Sequence, residues 1–276
     1  MAYGHVPRPA GSNAADLKPR LYALPQRART EERAAVVCVP FSGDGAASQP
    51  EYEAAGGKLA LQPPGALVEL LADVFMAELE RGVTYPQHGP LTLQEFRDYF
   101  LGYDLIVAFF LPASALRSAP IPTTGETVPL SHLTTSLSAL DFRHALAGFY
   151  YIKPNYPGRS SHICNAGFVV PPWNRGLGLG GVLGQSFLHF GPRAGYRASV
   201  FNLVYENNVA SVRIWQRLGF QTVGKIPKAG LLKRADGQGE EFVDAFVIYK
   251  DLVEQGGDDD RDAAGKKVED GSTPAL

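Results

Sequence analysis

With 276 residues, 45% of them hydrophobic, the chain can bury a sizeable core, and its formal net charge of -2 includes no basic stripe. A phosphate-tracking surface would show such a stripe, so a nucleic-acid partner is disfavoured, while a local basic pocket for a cofactor's phosphates stays open. Cys38 and Cys164 are too few and too far apart for a disulfide scaffold or a metal knuckle, so no metal is expected. No apolar run reaches the roughly 18 residues of a membrane span, which makes a soluble protein the expectation, cytoplasmic with a mitochondrial fraction left open.

Residues 1–30, rich in Pro, Gly and Ala, read as a flexible arm ahead of a single domain over 31–253. Ala34 to Phe41 is a first strand. Gly65 to Arg81 carries apolar residues at Leu67, Leu70, Leu71, Val74, Phe75 and Leu79, the spacing of a helix with one buried face, and Gly82 should end it. After the prolyl loop around Tyr85 and Gln87, Thr92 can cap a short helix with Glu95 completing a capping box. Asp104 to Leu111, DLIVAFFL, is apolar throughout, as in a strand covered on both faces. Residues 112–140 read as a surface insertion, or in part as a cover over the active site, and His144 to Ile152 as a strand antiparallel to 104–111.

Downstream, Asn165 to Val170 is a strand, Leu177 to Phe190 a helix, Ala198 to Tyr205 a strand and Val209 to Leu218 a helix. Phe220 to Lys225 and Phe242 to Tyr249 are final strands, joined by the Lys/Gly-rich span 228–240. The acidic tail 254–276 has almost nothing to bury and reads as disordered.

The most informative stretch is PPWNRGLGLGGVL, Pro171 to Leu183, between an apolar strand and a helix. A Gly-rich junction of this kind exposes backbone N–H groups at the positive end of a helix dipole, a seat for a pyrophosphate. Gly176, Gly178 and Gly180 let the backbone approach it, and Arg175 can add a charge-assisted hydrogen bond. Without a following Lys-Ser or Lys-Thr it is no P-loop. The dinucleotide fingerprint matches only in part, with no acidic residue at Tyr196 to Val200 to meet a ribose.

RGLGLG at 175–180 resembles the R/Q-x-x-G-x-G/A motif of GCN5-related N-acetyltransferases (GNAT), and NNVASVRIWQRLGF at 207–220 resembles their second signature. The pair, one helix and one strand apart, is far more specific than either half. The resemblance implies an α+β, three-layer fold with a mixed central sheet splayed between its fourth and fifth strands, and acetyl-CoA as cosubstrate. It assigns Val169, Val170, Arg175, Gly176, Leu177, Gly178, Leu179 and Gly180 to the cofactor. Asn208 would sit near the pantetheine or thiol, a role compatible with capping the following helix.

Residues 148–168, 201–211 and 84–87 are further similar to the fungal L-azetidine-2-carboxylate (proline-analogue) N-acetyltransferases, which are homodimers linked to resistance to toxic analogues. This likeness implies that Asn165 and Asn202 hold the carboxylate of a small imino acid. The bland alternatives are a strand-backbone bond for Asn165 and a buried structural amide for Asn202. Phe168 either walls the acceptor pocket or packs in the core, and Tyr85 and Gln87 either line that pocket or shape a turn. Backbone N–H groups at Phe168 and Val169 would stabilise the developing oxyanion if their strand bulges.

For a base, Glu206 and His162 are candidates. Where many acetyltransferases carry a tyrosine acid, this chain has Trp215, as does the proline-analogue group, so Tyr205 is the substitute to test. An acetyl-cysteine on Cys164 is disfavoured, with no histidine fixed beside it. The leading reading is direct acetyl transfer to the ring nitrogen of a proline-like imino acid. Another small amine or amino acid as acceptor, a protein substrate, or a non-enzymatic acyl-CoA sensor are the alternatives.

Overall fold

The computed structural model describes residues 17–42, 51–54, 57–60, 62–115, 141–234 and 236–253. Among the described residues there are ten strands: β1 (Arg20–Ala23), β2 (Ala35–Ser42), β3 (Glu51–Ala54), β4 (Gly57–Ala60), β5 (Asp104–Leu111), β6 (Leu146–Pro154), β7 (Ile163–Val169), β8 (Ala198–Tyr205), β9 (Gln221–Lys233) and β10 (Glu240–Asp251). Among them run helices α1 (Gly65–Arg81), α2 (Leu93–Phe100), α3 (Phe142–Ala145), α4 (Leu179–Arg193) and α5 (Val209–Arg217). Eight strands form one sheet in the order β1-β2-β5-β6-β7-β8-β10-β9, while β3 and β4 make a separate hairpin. All neighbours in the large sheet are antiparallel except β7 and β8, so the sheet is mixed.

Strand alternation divides the core into two layers. On β2, β5 and β6, Val37, Val107, Phe149 and Tyr151 pack with α1 and α2, while Cys38, Ala108, Tyr150 and Ile152 pack with α4 and Trp215 of α5. β5 is buried along its whole length, as a strand covered on both faces must be. Helix α1 ends on Gly82 in the left-handed conformation, φ 64°, with its N–H on the Leu79 carbonyl. Thr92 and Glu95 close the capping box of α2 reciprocally.

Several expectations need correction. The flexible arm over 1–30 fails for its second half: Arg20–Ala23 pairs with β2, and Leu17, Leu21, Tyr22 and Leu24 are buried. Flanking prolines disguised a four-residue strand whose partner lies in the next segment. His144 is not in a strand, because Asp141 caps a single helical turn ahead of β6. The span 228–240 is mostly strand, since β9 runs to Lys233 and pairs with β10 from Glu240, with left-handed Lys228 absorbing a register shift. Residues 1–16, most of the 112–140 insertion and the 254–276 tail lie outside the described residues.

The sheet opens between β7 and β8, the fourth and fifth strands of the core when counted from β2 through β5 and β6. Parallel pairing there covers only Ile163 with Ala198 and Cys164 with Ser199, after which the strands part. No bulge interrupts β7: its register with β6 is continuous from Pro154–Cys164 to Phe149–Val169. The irregularity lies on β8 instead. Between the Phe246–Val204 and Ile248–Phe201 pairs, β10 advances two residues and β8 three, so the extra residue falls at Asn202–Leu203.

Candidate active site

At the donor end, β7 leads through a short turn into α4. Gly178 is the N-cap of α4 at φ 84° and Gly176 has φ 79°, conformations that side chains bearing a Cβ rarely adopt. Apart from the Gly181 N–H, which goes to the Gly178 carbonyl at 3.1 Å, the N–H groups of the first turn of α4 lack intrahelical partners, and an anion is favoured at such a helix start. A methyl on Gly178 would meet the guanidinium of Arg27 at 2.8 Å and Pro25 at 3.1 Å. Arg27, from the segment read as a loose arm, is thus the cation beside this loop; the sequence signal was a basic run, Arg27 and Arg29, next to Pro25.

Arg175 is engaged elsewhere, because its guanidinium pairs with buried Glu78 of α1, which also binds Arg81 at 2.9 Å and accepts from the Thr84 hydroxyl. Gly180 serves packing, since a methyl there would come within 2.9 Å of Ile214 on α5. Leu179 is buried and Leu177 and Val170 pack against the same core, leaving their backbones as what they present to a ligand.

The Asn155 N–H on the Ile163 carbonyl sets the alternation of β7 against β6. Asn165, Gly167 and Val169 turn their backbone groups to β6, and Ala166 and Phe168 turn theirs to the β8 side. The Val169 N–H is therefore in the ladder and only that of Phe168 faces the splay; the expected bulge that would have freed both is absent. The ring of Phe168 packs in the core, 4.8 Å from Tyr150, 4.8 Å from Trp215 and 5.8 Å from Phe201. Trp215 is buried with its indole N–H on the Ser211 hydroxyl at 3.0 Å. Asn208 caps α5 through the Ser211 N–H.

The opposite face of the same strands is polar. The amides of Asn202 and Asn155 form a reciprocal pair, 2.7 and 3.1 Å, and the Tyr156 hydroxyl adds a bond to the Asn202 oxygen at 3.3 Å. Asn165 is half-buried, its side-chain oxygen accepting from the Ala166 N–H at 2.8 Å. Asn202 thus reaches Asn155 rather than Asn165, although the bulge and the alternation of β7 put all three on the side of α1 and α2. Tyr85 donates to the Phe168 carbonyl at 3.2 Å, and Gln87 donates to Tyr99, whose hydroxyl lies 3.0 Å from that of Tyr151. Lys153 is buried as a residue, and its ammonium lies 4.2 Å from the Tyr99 ring centre and 4.3 Å from that of Tyr151. Asn155, Tyr156 and Lys153 escaped the motif reading, though all lie within the stretch 148–168 that carries the resemblance.

The candidate acids and bases are placed away from this cluster. Glu206 binds Lys225 at 2.9 Å on the exposed surface, with Asp244 on the same ammonium, and His162 contacts the Arg159 carbonyl. Tyr205 packs with Leu232, Val243 and Ala245, and burial raises its phenol. Cys164 is fully buried on the α4 side and its thiol is pushed up to about 12 by burial, which withholds the thiolate an acetyl-cysteine needs.

Residues 130–220 match the acetyltransferase (GNAT) family. The chain is 41% identical over 181 residues to N-acetyltransferase aca1 of Schizosaccharomyces pombe, covering 66% of this chain and 78% of that protein. It is 29% identical over 208 residues to Protein SPT10 of Saccharomyces cerevisiae, there spanning 69% of this chain but 32% of that longer protein. Its fold is shared with a GCN5-related N-acetyltransferase from Kribbella flavida, TM-score 0.51, 24% identity, 69% of this chain and 95% of that one. It is also shared with an acetyl-CoA-bound phosphinothricin acetyltransferase from Sinorhizobium meliloti, TM-score 0.50, 16% identity, 70% and 86% covered. The splayed mixed sheet, the glycine-bounded start of α4 and the relationship to aca1 make this chain a member of the acetyltransferase (GNAT) family and an acetyl-CoA-dependent N-acetyltransferase.

Proposed function

We propose that the chain acetylates the ring nitrogen of a small proline-like imino acid, such as azetidine-2-carboxylate or cis-4-hydroxyproline, by direct attack in a ternary complex. The observation that carries this reading is the amide cluster of Asn155, Asn165 and Asn202 on the α1/α2 side of the opened strands. Primary amides offer N–H donors that can orient a carboxylate. Resemblance of 148–168, 201–211 and 84–87 to the proline-analogue acetyltransferases supports the same substrate class.

The residues at the donor end fit coenzyme A. Free N–H groups at the start of α4, the glycine-lined approach and Arg27 suit its pyrophosphate, and the gap between β7 and β8 suits its pantetheine arm. When bound, the cofactor supplies an already activated thioester. The chain's part is then to orient the amine on the polar face, at about 3 to 3.5 Å from the acetyl carbonyl, and to offer the Phe168 N–H to the oxygen on which charge develops.

The test is a purified-enzyme panel read by release of free coenzyme A, comparing azetidine-2-carboxylate, cis-4-hydroxyproline, proline and acyclic amino acids. The cyclic acids are expected to give the highest kcat/KM. Preference for an acyclic primary amine would overturn the substrate assignment, and acetyl-CoA binding without turnover on any acceptor would point to a sensor.

A further inference from the structure

Lys153 is a charged residue of the polar face whose chemistry the amide cluster does not absorb. It is 7% exposed, and its Nζ meets only the rings of Tyr99 and Tyr151; among the described residues no carboxylate pairs with it. An ammonium on a side chain this largely buried is costly to keep charged when no anion compensates it, and two tyrosine faces compensate only in part. Burial moves it down to about 8, so near neutral pH most of it still carries the charge.

Its position sets it beside the amides. Lys153 is the register partner of Asn165 across β6 and β7, which places their Cβ atoms about 5 Å apart on one face. Two residues further on, Asn155 holds the Asn202 amide. Two residues back, the Tyr151 ring extends over Gly167, where a methyl would lie 2.6 Å from it, so the ring lies across β7 toward the splay. The orphan oxygen of Gln87 belongs to the same network through Tyr99, and is buried without a partner.

We propose that Lys153 is the charged half of a carboxylate seat that it forms with Asn165, so that the enzyme selects amines bearing a carboxylate over their uncharged analogues. This rests on the reading of a carboxylate-bearing acceptor. Lys153 is a specificity-determining residue here. Its ammonium and the acceptor's carboxylate neutralise each other on binding, so the nearby amine faces little net charge when it loses its proton.

The experiment compares wild type, Lys153→Met, Lys153→Gln and Lys153→Arg on azetidine-2-carboxylate and on its carboxamide, with acetyl-CoA affinity by calorimetry and a thermal melt of each. A hydrogen-bonded charge pair of this kind corresponds to a change of roughly 10- to 100-fold. Lys153→Met is therefore expected to raise the KM for the acid by about that factor, while leaving the carboxamide KM and the acetyl-CoA affinity within about threefold. Lys153→Arg should recover much of the loss. If Lys153→Met does not fold, Lys153→Gln carries the comparison. An acid KM that stays put, or shifts equally with the carboxamide, overturns the proposal. A wild type that does not favour the acid over the carboxamide defeats the acceptor reading itself, whereas a wild-type preference that survives Lys153→Met defeats the Lys153 seat alone.

Discussion

The two faces of β6, β7 and β8 differ more than any two elements of the molecule. Toward α4 and α5, Tyr150, Phe168, Phe201 and Trp215 interlock with ring centres 4.7 to 5.8 Å apart. Toward α1 and α2, the intervening residues Tyr151, Lys153, Asn155 and Asn165 are polar, and the β8 bulge brings Asn202 to join them. One set of backbones therefore carries a dry wall on one side and, beyond the apolar Phe149 and Val169, a hydrogen-bonding patch on the other, and a period of two is all that separates them. If the proposed function holds, rigidity and recognition fall to alternate residues: the aromatic wall fixes strand positions from which the amides would reach the acceptor.

Changes on the two faces should therefore separate stability from acceptor recognition. The largest effect is expected from Trp215→Ala, which empties a site bordered by Phe168, Phe201 and Phe220. A loss of about 3–5 kcal/mol in urea-induced unfolding is expected. A loss below about 1 kcal/mol would mean that the aromatic face does not hold the strands.

Gly178→Val tests the donor end instead. A β-branched residue at φ 84°, pressing on Arg27 and Pro25, should displace the start of α4 and weaken acetyl-CoA binding about 10- to 100-fold in calorimetry, with acceptor KM little changed. Unchanged acetyl-CoA affinity would remove this loop from the cofactor site.

The sequence made some of this division visible and hid the rest, for physical reasons. Helix α1, the capping box at Thr92 and the buried β5 are written in local spacing, and their observed limits follow it. The glycines of 176–180 announce a special backbone because only unusual φ values or close packing ask for them so densely. Arg20–Ala23 and the full length of β9 were illegible because a short or polar strand is stabilised by its distant partner. The same holds for the bulge, expected on β7 and found on β8: it is a mismatch between two strands, and neither sequence carries it alone. Lys153 was hidden because an isolated lysine reads as surface until the strand containing it is seen to be covered.

On the proposed function, the amides on the α1/α2 face bind the acceptor and not the cofactor. Asn202→Ala removes the residue that Asn155 and Tyr156 hold in place at the bulge. Steady-state kinetics with a cyclic amino acid, alongside acetyl-CoA calorimetry, should show the acceptor KM raised about 10-fold or more with the acetyl-CoA Kd within about twofold. A weakened acetyl-CoA Kd with an unchanged acceptor KM would contradict it.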